Sequence, residues 1–112
     1  MKRSQNTVMP VELVYEIKRF GERIARMRKA RRIIQSEVAV RANISRETAS
    51  RIENGDASVA VGQILRYINA ISPGATFKTL YESDPAIELL AKSEKRQRVR
   101  RLTPKELLRY DF

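Results

Sequence analysis

The chain has no cysteine and no histidine, and these two absences remove much of the chemistry open to a small protein. Without cysteine there is no disulfide, no thiolate zinc site and no cysteine nucleophile. Without histidine the commonest metal ligand and the usual general base of acyl transfer are missing, and the scattered Asp and Glu form no pair that suggests hydrolysis. The composition therefore argues against an enzyme and points to no metal and no cofactor. Long apolar runs are lacking too. No segment approaches the roughly 20 residues needed to span a bilayer, and the start MKRSQNTVMP has no apolar core of a secretory signal. A cytoplasmic protein with no membrane partner is expected. Aromatic residues make up 6% of the chain, too few to suggest the stacking face of a single-strand coat.

What is present in excess is positive charge. Among 112 residues, 23 are Lys or Arg and 13 are Asp or Glu, for a formal net charge of +10. The length suits one domain, and a hydrophobic fraction of 42% suits a small helical core with little room for a catalytic cleft. The surplus is uneven: residues 1–32 hold ten basic and three acidic side chains, residues 33–82 balance, and the remainder is again basic. Such asymmetry fits phosphate contacts flanking a neutral reading element, because neutralising phosphates releases counterions. It also fits plain solubility.

The neutral middle holds the sharpest motif, ISRETASRIENG at residues 44–55. Ser45 can cap the free N–H groups of a helix that Gly55 stops in a left-handed conformation. Thr48, Ala49 and Ile52 share one stripe, which turns Arg46, Glu47, Ser50 and Arg51 outward. Four polar residues on a helix face can simply be solvated. They can also meet base edges in a major groove, where Arg pairs with guanine and a carboxylate accepts from cytosine; Glu47 could equally pair with Arg51. Upstream, Val38, Ala39 and Ala42 give a second helix, and Asn43 tolerates the left-handed turn between two helices packed at a steep angle.

Helix, turn and capped helix over QSEVAVRANISRETASRIENG, within residues 20–71, resemble the lambda-repressor-like helix-turn-helix domain of the XRE family. The resemblance implies an all-α bundle that binds double-stranded DNA. It implies that Gln35, opening the second helix, contacts a phosphate and braces the next helix, with Ser45 and Asn54 as further phosphate contacts. Arg46, Glu47, Ser50 and Arg51 become the base readers, and Arg28 and Glu53 a structural ion pair. Two positions depart from the family pattern: Ile34 stands where a capping Thr or Ser is usual, and Ala49 where a larger aliphatic is common.

Around this motif, residues 1–10 read as a flexible arm and residues 11–74 as the DNA-binding domain. Leu13, Ile17, Phe20, Ile24 and Met27 form one stripe of a long first helix, in which Gly21 costs about 1 kcal/mol relative to Ala and suggests a close backbone approach. The off-stripe cations Lys18, Arg19, Arg23 and Arg26 are either solvated or within reach of phosphate. Ile64, Leu65, Ile68 and Ile71 mark a closing helix that SPG at residues 72–74 ends.

Residues 75–112 form a C-terminal helical extension suited to dimerisation or partner binding. Residues 75–84 read as a short helix in preference to a strand, and the resemblance to dimeric XRE proteins implies Phe77, Leu80 and Tyr81 as dimer contacts rather than core. Asp84 and Pro85 begin a helix that is expected to dissolve into KSEKRQRVRR. Thr103 and Glu106 form a capping box before Leu107, Leu108, Tyr110 and Phe112, which could dock on a partner or fold back. Small XRE proteins with such an extension resemble HipB-like antitoxins, which repress their own operon as homodimers and hold a toxin kinase. The resemblance then implies a nucleoid-associated repressor on a palindromic operator. A stand-alone or phage-type regulator and a protein-interaction scaffold are the alternatives.

Overall fold

A computed structural model describes residues 5–82 and 85–101. Among them the secondary structure is entirely helical: α1 Gln5–Val8, α2 Val11–Ala30, α3 Gln35–Ala42, α4 Arg46–Glu53, α5 Val61–Ile71, α6 Phe77–Tyr81 and α7 Pro85–Arg101. Residues 77–81 are helix and not strand. One helical turn, α1, lies within the segment expected to be an arm. None of the described helices is long and apolar enough to cross a membrane.

The core gathers Ile24 and Met27 of α2, Val38, Ala39 and Ala42 of α3, Ala49 and Ile52 of α4, and Ile64, Tyr67, Ile68 and Ile71 of α5. A buried aliphatic side chain of this size contributes about 1.5–3 kcal/mol, so these contacts fix how α3 and α4 stand on α2 and α5. The expected α2 stripe enters this core only from Phe20 onward. Leu13 is exposed, as are Val11 and Tyr15, because the described helices that build the core meet only the C-terminal part of α2. On α5 the buried stripe runs 64, 67, 68 and 71, the three- and four-residue spacing of a helix face. Leu65 falls off it and is exposed, while Tyr67 is fully buried.

The C-terminal extension corrects two expectations. Leu80, expected to lie outside the core, is 2% exposed and belongs to it, as does Ala75. Phe77 is partly buried and packs against Phe20 with ring centroids 5.8 Å apart. Tyr81 alone of the three expected contacts is well exposed. The run KSEKRQRVRR does not dissolve, since α7 continues through Arg101. It contains neither Gly nor Pro and is rich in Lys, Arg, Glu and Gln, all strong helix formers. Leu107, Leu108, Tyr110 and Phe112, with the Thr103 capping box and Asp84, lie outside the described residues.

Candidate nucleic-acid interface

Three successive helices stop in the same way. At the end of α2 the N–H of Ile33 donates to the carbonyl of Arg28 and that of Arg32 to Lys29; after α3, Ile44 donates to Ala39 and Asn43 to Val40; after α4, Asp56 donates to Arg51 and Gly55 to Ile52. Each stop places one residue at positive φ: Arg32 at 56°, Asn43 at 56° and Gly55 at 74°. This paired bonding satisfies the last carbonyls and turns the chain sharply. It lets α3 and α4 follow one another with only Asn43, Ile44 and Ser45 between them. Ile33 and Ile44, the residues just past the first two stops, pack against the core and hold each turn down.

At its start α4 is capped as expected. Ser45 Oγ accepts from the N–H of Thr48 at 3.0 Å and donates to Thr48 Oγ1 at 2.9 Å. The Ser45 hydroxyl is thus engaged in the cap. Helix α3 has no such cap, because Ile34 at that position offers only its backbone carbonyl. The first-turn N–H groups of α3 are therefore suited to an external acceptor such as a phosphate. Gln35 stands at this end, half-buried.

The inner end of α4 is clamped. Gly21 lies so close to it that an added Cβ would stand 2.6 Å from the carbonyl oxygen of Glu53 and 2.7 Å from that of Ile52. Only a glycine admits this backbone contact. On the other side of the contact, a Cβ on Gly55 would meet Lys18 Cα at 2.7 Å. Next to it Arg28 makes a bidentate bond to Glu53, Nε to Oε2 at 2.7 Å and Nη2 to Oε1 at 2.9 Å. Its Nη1 donates to the Ile33 carbonyl at 2.9 Å. The Tyr67 hydroxyl donates to the same Glu53 Oε2. The hydrogen bond to Glu53 raises the Arg28 pKa. Burial, with the bond to the Glu53 carboxylate behind it, raises that of Tyr67. One carboxylate at the end of α4 therefore joins α2, α5 and the α2–α3 link. The expected pair is present, and Tyr67 is a third member that no charge pattern advertises. Its signal was the buried spacing on α5.

The outer face of α4 is open. Arg46, Glu47 and Arg51 are exposed and Ser50 is half-buried. Arg51 and Glu47 pair at 2.8 Å, one turn apart. Asn54 Nδ2 donates to Ser50 Oγ at 3.3 Å. Among the described residues Arg46 has no ion-pair partner. On α3 the exposed Arg41 pairs with Glu37 at 2.9 Å. Exposed pairs of this kind contribute about 0.2–1 kcal/mol and open readily for a competing partner. Of the α2 cations, Lys18, Arg19 and Arg26 are exposed, whereas Arg23 donates to the carbonyl of Glu82 at 3.2 Å. The structure thus brings Gln35, Ser45, Arg46, Glu47, Ser50, Arg51 and Asn54 onto one helix-turn-helix unit. Phe77, Leu80 and Tyr81 stand on α6, outside the α3–α4 segment.

A family model described as a helix-turn-helix domain matches residues 19–72. No curated protein and no solved structure matches the chain.

Proposed function

We propose, from the premise that residues 19–72 are a helix-turn-helix DNA-binding domain of the XRE-like family, that this protein is a sequence-specific transcriptional repressor. It acts as a homodimer, placing α4 of each protomer in successive major grooves about one helical turn apart. Arg46, Glu47, Ser50 and Arg51 read base edges. Gln35, Ser45 and Asn54 hold phosphates, Ser45 through its backbone because its hydroxyl caps α4. The observation that carries this reading is the contrast within α4: an inner end held by Gly21, Arg28 and Tyr67, and an outer face of exposed Arg and Glu. A helix that only closed a core would not need so rigid a seat for so polar a face.

The narrower reading is an autorepressing antitoxin of the HipB type, whose extension holds a toxin kinase. Exposed Tyr81 and Leu89 support a partner or a second protomer on that side. Selection of bound duplexes from a random-sequence pool at near-physiological salt tests the repressor. A two-fold symmetric site with half-sites about one turn apart is expected. Retention without an enriched motif, vanishing as salt rises, would refute sequence-specific repression. Co-purification with the product of a neighbouring kinase-like gene would separate the antitoxin from a stand-alone regulator.

A further inference from the structure

Helix α7 has two unlike halves. Near its start Ile87 is packed against the core and Leu90 is half-buried. From residue 91 to residue 96 every side chain is exposed, and none is a large aliphatic or an aromatic. Residues 91–101 hold six Lys or Arg and one Glu. A helix that is polar all round gains nothing from burial, and like charges one turn apart, as Lys92 with Arg96, each cost it roughly 0.2–0.5 kcal/mol. A polyanion would reverse that cost.

The chemistry of the run decides between polyanions. A protein partner needs apolar or aromatic anchors at the centre of its interface, and residues 91–96 offer none. A phosphate backbone needs only cations at the surface. The arm is also mechanically tied to the reading element, because α2 carries α4 on its Gly21 side and α7 on the side of Phe20 and Arg23. The cleft between α2 and the start of α7 is balanced in charge, with Arg19, Arg23 and Arg26 facing Glu16, Glu22 and Glu88, so the basic surplus of α7 begins beyond it, at Lys92.

We propose that residues 92–96 of α7 form a second phosphate-binding element, gripping the backbone of duplex DNA outside the bases that α4 contacts. The proposal rests on the DNA-binding reading above but not on its sequence specificity. Its test is the full-length variant Lys92→Gln, Lys95→Gln, Arg96→Gln, which keeps helix propensity and alters only exposed side chains. Affinity is measured against salt on two duplexes, one holding only the selected operator and one extended by about ten base pairs on each side. On the long duplex the salt slope is expected to fall by up to about 2.7 per protomer, so that the wild-type advantage shrinks up to roughly 40-fold between about 50 and 200 mM salt. The short duplex shows equal slopes and the selected motif is unchanged. Equal slopes on the long duplex would overturn the arm and leave operator recognition intact. If the wild type shows no preference for operator over scrambled DNA, sequence specificity fails, and the slope difference on scrambled DNA still decides the arm.

Discussion

Helix α4 takes part in two arginine–glutamate pairs of nearly equal length in opposite surroundings. Arg28 meets Glu53 at 2.7 Å with side chains 12% and 7% exposed, and Arg51 meets Glu47 at 2.8 Å with side chains 53% and 74% exposed. Distance does not separate them; burial and further bonding do. The Glu53 carboxylate accepts from Tyr67 as well, and the Arg28 fork also holds the Ile33 carbonyl. Taking either charge away leaves the other stranded out of water. The outer pair has water as an alternative partner for both members, so opening it costs little. The inner end of the helix is built to stay, and the outer face is built to exchange partners.

Breaking the inner pair should have the largest effect. Arg28→Ala leaves Glu53 nearly enclosed without its counter-charge and should cost about 3–5 kcal/mol, read as a large fall in the urea midpoint with DNA binding lost alongside. An effect below about 1 kcal/mol would make the two pairs equivalent. Tyr67→Phe keeps the buried ring and removes one donor to Glu53, for about 1–3 kcal/mol. It also has a pH signature. The folded pKa of Tyr67 lies above its ordinary value of 10.0, so the native state binds its proton more tightly than the unfolded chain. That contribution is whole below pH 10 and is lost as pH rises beyond it, so the advantage of wild type over Tyr67→Phe should narrow above pH 10. An advantage that stays constant there would remove the hydroxyl from the clamp. Glu47→Gln is the smallest change. Breaking the outer pair should shift stability by less than about 1 kcal/mol, and a larger loss on thermal unfolding would show that the outer face is also structural.

Much of this architecture was legible in the residues. Ser45 and Gly55 marked both ends of α4, Asn43 marked the turn, and Gly21 in the middle of a helix pointed to a close backbone approach. Each of these is a local chemical constraint, and local constraints survive in sequence. What was not legible depended on which surfaces meet. Leu13 and Leu80 are both apolar residues on helical stripes, yet one faces solvent and the other the core, because no described core helix lies opposite the first and α6 folds back to bury the second. Arg32 gave no sign of its positive φ of 56°, since residues other than Gly, Asn and Asp rarely enter that region. The pairing of Glu47 with Arg51 was one of two arrangements their spacing allowed. For the residues proposed to read bases, the sequence and the fold supply the seat.

The most direct measurement is therefore the binding-site profile of Arg46→Ala beside that of wild type and Gln35→Ala, each selected from the same random duplex pool. If α4 reads bases, Arg46→Ala loses preference at one position of each half-site, by about 1–3 kcal/mol, with the others retained. Gln35→Ala then weakens every sequence alike. Equal losses for Arg46→Ala on operator and random DNA would contradict the account, because they would make the exposed face of α4 a charge contact and not a reader.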